Sequence, residues 1–299
     1  MNDSTRPYVS VIIPVYNDLQ RLKTCLEALE EQTYPGDLYE VIVVNNNPLQ
    51  NIEPDIVNFS NVRLFWESRR SSYAARNKGI SNAKGAVIAF TDSDCIPKSD
   101  WIERGVTHLL NEPHCGLVAG RIEVFCSDPE NPTAIELYEK ITAFNQKTYV
   151  TRLRFGATAN LFTFKNIIEE VGSFNDALLS SGDFEWGNRV FAAGHKQIYA
   201  DDTCVSHPAL KTFGQRFRKR IRIIRGKYKS GTLNFSFRLF IKRLFLPLKE
   251  VKKVVFEGKY DEFLRGKKQK LKFSGVYFFD SYVWTFGSLV INLFVRKKQ

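Results

Sequence analysis

Residues 85–101 read GAVIAFTDSDCIPKSDW. An apolar run from Ala86 to Phe90 stops at Thr91, and two carboxylates one residue apart follow, Asp92 and Asp94. Alternate side chains of an extended segment face one side, so both acids can reach a single ligand across Ser93. Two like charges this close are either screened by water or gathered around a cation. Hard oxygen donors suit Mg²⁺ or Mn²⁺, which bridge to a substrate's phosphates rather than filling an all-protein cage. A second reading needs no ligand: a capped turn before the helix that starts near Asp100.

The elements that must position these acids alternate in type. Tyr8–Pro14 (YVSVIIP), Glu40–Val44, Val62–Trp66 and Ala86–Phe90 are short apolar runs rich in β-branched residues, which predicts four buried strands. Between them, Leu19, Leu22, Cys25, Leu26 and Leu29 recur at helical spacing behind a capping Asn17 or Asp18, and Ser71–Ala83 reads as a second helix. Asp100–Leu110 reads as a third. Repeated β-α-β with wholly apolar strands implies a mainly parallel sheet covered on both faces. Ligands of such sheets sit at the carboxyl ends of the strands. Three strands here end in polar residues: Tyr16-Asn17-Asp18, Asn45-Asn46-Asn47 and Asp92-Ser93-Asp94. Further on the pattern is less regular: strands at Gly116–Gly120 and Ile122–Phe125, a helix over Thr133–Gln146, a helix over Phe184–Ala193 ended by Gly194, and a strand at Lys196–Ala200.

The 299 residues, 43% apolar and 13% aromatic, support a substantial core and exclude global disorder. Five cysteines, odd in number and without CxxC spacing, argue against a disulfide framework or a zinc site and for a reducing compartment. The opening MNDSTRPYVS has no basic region followed by an apolar one, so a cytoplasmic location is expected. The net charge of +11 lies in the last 89 residues, where 24 Lys+Arg face 5 Asp+Glu; residues 1–210 carry −8. The division predicts two domains, 1–210 and a basic helical region over 211–299. Such asymmetry suggests that the second meets an anionic surface. Its many Phe, Leu and Trp residues favour a membrane surface over nucleic acid, with a basic amphipathic helix through Phe237–Val255 lying in the interface. Val276–Val295 is just long enough to span a bilayer, but Asp280, Ser281, Ser288 and Asn292 interrupt it. An interfacial or docked helix is the favoured reading and a single span at 276–295 the other.

Seven segments together resemble the family-2 inverting glycosyltransferases, which have the GT-A fold. In the family's order they are VSVIIPVYND (9–18), EVIVVNNNP (40–48), AARNKGI (74–80), GAVIAFTDSDCIP (85–97), GATANLFTFKNIIEEVGSFND (156–176), SGDFEWGNRVFAAGHK (181–196) and VSHP (205–208). The resemblance implies a mainly parallel central sheet with helices on both faces. It implies that Pro14, Tyr16 and Asn17 form the first nucleotide-binding turn, and that Asn45 contacts the base where most members have Asp. Arg76 and Asn77 would touch base or ribose, Asp92 the ribose or a metal-bound water, and Asp94 the metal, with His207 as a further metal ligand. Asp183 would be the general base that takes the acceptor hydroxyl's proton, and Glu185 would orient it or bind the acceptor. Gly182 stands where the commoner motif has a leading Glu. Asn160 matches the acceptor-side segment; Trp186 either lines the acceptor pocket or packs. Arg218, Arg222 and Arg225 are candidates for pyrophosphate contact, because a guanidinium matches phosphate geometry.

The expected activity is therefore metal-dependent transfer of a sugar, with inversion, from a nucleotide-sugar donor to a saccharide or lipid-linked acceptor. Cell-envelope or exopolysaccharide synthesis on the cytoplasmic face of the membrane is the implied setting. Asn45 and the incomplete acidic motif leave an alternative, a non-catalytic nucleotide-sugar or glycan-binding scaffold of the same fold.

Overall fold

The computed structural model describes residues 6–233 and 236–296. Residues 1–5, the first half of the opening MNDSTRPYVS, lie outside these. The chain forms two compact units. One holds residues up to Glu123 together with Phe144–His207; the other holds Val124–Ala143 together with the residues from Pro208 onward. The sequence boundary at 210 thus falls close to one crossing, but it leaves 124–143 on the other side.

The first unit is built on a mixed eight-stranded sheet in the order β3-β2-β1-β4-β7-β6-β8-β5. β1 (Val9–Val15), β2 (Tyr39–Asn45), β3 (Val62–Trp66) and β4 (Val87–Thr91) are parallel. β7 (Asn160–Phe164) runs antiparallel to β4 and to β6 (Cys115–Phe125), and β5 (Ile96–Pro97) antiparallel to β8 (Lys196–Pro208). Side chains of β1 alternate between two cores: Val9, Val11, Ile13 and Val15 face one, Ile12 the other. The first core receives Leu22, Cys25, Leu26 and Leu29 of α1 (Leu19–Glu30) and Trp101, Ile102, Val106 and Leu109 of α4 (Trp101–Asn111). A four-residue α2 (Glu53–Ile56) adds Ile56 to it. The second core receives α3 (Ser72–Asn82), whose Gly79 lies so close to β1 that a Cβ there would come within 2.5 Å of Ile12 Cγ2.

Three expectations shift. β6 is one continuous strand where two were expected. The helix expected over 133–146 stops early, as α5 (Ala134–Thr142), followed by a three-residue α6 (Gln146–Thr148) and a wide turn, Tyr149–Leu153. β8 continues eight residues past Ala200, because Asp201-Asp202-Thr203 interrupts the apolar pattern without interrupting the ladder. β7, α7 (Lys165–Val171) and α8 (Gly182–Ala192) complete the unit.

The second unit packs α5 with α9 (Phe213–Lys229), α10 (Phe237–Phe256) and α11 (Gly266–Arg296). No helix among the described residues is long and apolar enough to cross a membrane. The span considered for 276–295 is replaced by part of the 31-residue α11. Its Asp280, Thr285 and Ser288 are buried, and Asp280 is paired with Arg216 and Arg220 of α9. A carboxylate held by two guanidiniums belongs to a protein interior, not to the acyl layer.

Candidate active site

The parallel order 3-2-1-4 reverses direction between β1 and β4, and such a switch point opens a crevice at the strands' carboxyl ends. The ladder between β1 and β4 stops at Ile12–Phe90, so the two strands part before Pro14 on one side and Asp92 on the other. Pro14 stands where no β4 partner needs its missing N–H. Asn17 closes the turn in a left-handed conformation, φ 54°, and its Oδ1 accepts from Asn47 Nδ2 at 2.6 Å, tying the ends of β1 and β2 together. Tyr16 is exposed; Arg70 lies over its ring and donates to its hydroxyl at 2.9 Å.

Asp92 follows β4 directly and is paired with Arg76 of α3. The Arg76 guanidinium also lies 5.7 Å from the ring centre of Tyr73, one turn earlier on α3. Tyr73 in turn donates its hydroxyl to Asp183 Oδ1 at 3.3 Å. Asp92, Arg76, Tyr73 and Asp183 thus form one connected group. Burial pushes the Asp183 carboxyl above the usual carboxylate range, against the pull of the Phe184 N–H, Arg76 and Tyr73. Ser181, the residue before α8, takes a left-handed conformation at φ 67°, strain of the kind that concentrates at functional sites.

The departure from the leading Glu has a physical reason. A Cβ on Gly182 would lie 2.7–2.8 Å from the Tyr73 ring. The aromatic ring that holds Asp183 occupies the space that a side chain at 182 would need.

Register explains how the remaining candidate ligand, His207, reaches the site. Ile96 pairs with Ser206 and Pro97 with Val205, so the antiparallel ladder brings His207 opposite Cys95, beside Asp94. His207 Nε2 is 3.5 Å from Asp94 Oδ1, and its ring packs against Phe144 at 4.6 Å. The donor atoms of Asp94, Cys95 and His207 all lie within 4.8 Å of one another. Burial raises the Asp94 carboxyl, with His207 opposing, the mark of a desolvated carboxylate that lacks a full counter-charge. Burial, with Asp92 and Asp94 adding to it, pushes the Cys95 thiol well up. A carboxylate beside an imidazole fits a divalent ion of intermediate character such as Mn²⁺. Arg21, 3.5 Å from the other Asp94 oxygen and bonded to Asp18, was not anticipated.

Several expected ligand contacts are engaged elsewhere. Asn45 is buried, with Nδ2 donating to Gln50 O at 2.6 Å and Oδ1 accepting from Asn47 N at 2.9 Å; it builds the turn after β2. Asn77 clamps Phe174, donating to its carbonyl at 2.8 Å and accepting from its N–H at 3.0 Å. Asn160 is fully buried, accepting from Trp101 Nε1 and donating to Arg121 O and Thr203 O, so it joins β7 to its neighbours and is closed to an acceptor. Trp186 packs at 5.3 Å from Phe174 and donates to Gly172 O, which selects the packing alternative. Glu185 turns from Asp183 to Arg189, taking both its Nε and its Nη2. Arg189 uses its remaining donors on the carbonyls of Val171, Gly172 and Ser173. Ser93 is buried between the two acids. Arg218, Arg222 and Arg225 lie on α9 in the second unit, exposed.

Motif spacing does not single out Tyr73, which holds Asp183 and packs on Arg76, or Arg70, which holds Tyr16. The signal for Tyr73 was present in the missing side chain at 182, but only the packed structure connects the two.

Residues 10–172 match the model of glycosyl transferase family 2. The chain is 36% identical over 247 residues to glycosyltransferase AglE of Haloferax volcanii, covering 81% of this chain and 79% of that one. A Methanococcus voltae protein is 22% identical over 227 residues, covering 71% and 70%. Its name is dolichyl N-acetyl-alpha-D-glucosaminyl phosphate 3-beta-D-2,3-diacetamido-2,3-dideoxy-beta-D-glucuronosyltransferase. Among solved structures, the mannosyltransferase PcManGT of Pyrobaculum calidifontis, in complex with GDP-Man and Mn²⁺, aligns with a TM-score of 0.63 at 18% identity, covering 97% of this chain and 88% of that one. The fold is therefore GT-A, and the chain belongs to glycosyltransferase family 2.

Proposed function

We propose that this glycosyltransferase moves a sugar, with inversion, from a nucleotide-sugar donor to a hydroxyl of a saccharide or lipid-linked acceptor in cell-envelope synthesis. The observation that carries this is the Asp183 carboxylate, raised by burial and held by Tyr73 in one group with Arg76 and Asp92. In this reading Asp183 takes the proton of the acceptor hydroxyl as its oxygen bonds to the anomeric carbon. The bond from that carbon to the donor phosphate breaks, and its electron pair leaves with the nucleoside diphosphate. Arg76 fixes Asp92 toward the donor, and Tyr16 and Asn17 form the lip of the nucleotide crevice. Asp94 and His207 would hold a divalent cation, which supplies Lewis-acid neutralisation of the departing diphosphate. Support for this comes from the donor set and from the Mn²⁺ in the Pyrobaculum complex. The lipid-linked acceptor is supported by the Methanococcus relative's name. The basic, apolar-rich second unit supports a location on an anionic membrane surface.

The test is nucleoside diphosphate release from a panel of nucleotide sugars with Mn²⁺, before and after chelation. Loss on chelation and in Asp94→Ala and Asp183→Asn is expected. Undiminished transfer in both variants would falsify the mechanism. Donor binding without release in the native chain would support the scaffold alternative.

A further inference from the structure

The second unit contains a cavity of about 250 Å³ that the transfer chemistry does not use. Tyr138, Arg220, Arg243, Leu246, Asp280 and Trp284 are among the residues in its wall. Its charges do not balance. Asp280 accepts from Tyr138 at 3.0 Å, from Arg216 at 2.7 Å and from Arg220 at 2.8 Å. Glu139 takes Arg216 and Lys219. These two carboxylates therefore already serve three cations. Two more arrive at the indole of Trp284: Arg243 of the wall is 5.8 Å from its ring centre and Lys227, outside the lining residues, 5.4 Å, with Arg220 at 5.3 Å. Neither Lys227 nor Arg243 has a carboxylate partner among the described residues.

A ring face offsets part of each cation's desolvation, but it does not cancel the repulsion between them. Burial first, and then repulsion from Arg220 and Arg243, hold the Lys227 ammonium below its usual range. A half-buried wall with surplus positive charge, guanidinium forks and open volume suits a tetrahedral oxyanion. The helices that line it are also greasy outside: Phe237, Phe245, Leu246 and Leu248 of α10, and Phe286 and Val290 of α11, are exposed.

We propose that this cavity binds the phosphate of a lipid headgroup, with Arg243 on the phosphate oxygens, the Lys227 ammonium adding its charge from beside the Trp284 ring, and the lipid's chains against the exposed residues of α10 and α11. This rests on the membrane-surface part of the reading above and assigns it a site.

Vesicles of phosphatidylcholine with and without phosphatidic acid, titrated against the full chain and read by tryptophan emission, test it. Phosphatidic acid should change the emission saturably, and Trp284→Phe should remove the change. K227Q/R243Q should lose at least tenfold in affinity, while K249Q/K252Q, which removes two exposed α10 charges, should lose less than threefold. Equal losses in the two pairs would overturn the site, as would failure of the native chain to bind. Inorganic phosphate should compete only at concentrations at least tenfold above the lipid phosphate; competition at equal concentration would make the ligand a free anion and overturn the lipid assignment. Sugar transfer to a water-soluble acceptor should persist in K227Q/R243Q, which separates failure of this site from failure of the transfer chemistry.

Discussion

The Tyr73 hydroxyl donates to Asp183 across 110 residues of sequence, so the carboxylate at the start of α8 is held by a side chain of α3. The same ring carries the guanidinium that pairs with Asp92. The group proposed to accept a proton and the group proposed to face the donor therefore share one support.

Tyr73→Phe should keep the ring against Gly182 and Arg76 and lose only the hydrogen bond. That bond favours the ionised form of Asp183, so its loss raises the Asp183 pKa further. A base works above its pKa. The acid limb of the kcat profile should move to higher pH, and kcat at neutral pH should fall about three- to tenfold with KM for the donor little changed, loss of one hydrogen bond costing about 1 kcal/mol. An unmoved acid limb would remove Tyr73 from this role.

Asp183→Asn should lower kcat by about 10²–10⁴-fold, the usual worth of a general base, while donor binding, read as thermal stabilisation by nucleotide sugar and Mn²⁺, persists. Loss of donor binding in the same measure would make Asp183 a binding residue instead.

Gly182→Ala places a methyl 2.7 Å from the Tyr73 ring and should cost about 1–3 kcal/mol in chemical denaturation, with kcat falling as the ring shifts. Combining it with Tyr73→Ala, which clears the space, should bring less than additive loss.

Much of the first unit is legible from periodicity alone. The four parallel strands and α1, α3 and α4 emerge because apolar β-branched runs and 3–4 residue repeats have no competing reading. β7 was hidden because NLFTF mixes Asn and Thr into a buried strand, and the shortest hydrogen bonds of those two side chains go to Trp101, Arg121, Thr203 and Gly116, residues far off in sequence. The same non-locality governs the site. Asp92, Asp94 and Asp183 stand out as candidates by motif spacing, whereas Asn45, Asn77 and Asn160 could not be told from ligand contacts until their backbone partners were in view. His207 needed the register of β8 against β5, which no local pattern encodes.

In the second unit, burial alone would raise Glu139, but Lys219 and Arg216 more than offset it and hold its carboxyl below the usual range. A lowered folded pKa contributes stability that is complete above the unfolded value, about 4.3, and is lost as pH falls through the folded one. The second unit should therefore soften in acid below about pH 4, and Glu139→Gln should flatten that dependence. Asp280→Asn, which leaves Arg216 and Arg220 with a neutral partner, should cost about 3–5 kcal/mol at neutral pH, read by urea unfolding.

The passage of the chain through its two units has a consequence for synthesis. α5 leaves the ribosome with Tyr138 and Glu139 made, but α9, whose Arg216 meets both, comes only after the whole of Phe144–His207. At about 5–20 residues per second, that nascent helix waits several seconds with its apolar face uncovered. The catalytic sheet can close during that interval. The helical unit cannot, so any partner that shields Ile135 and Leu137 must act between the two events.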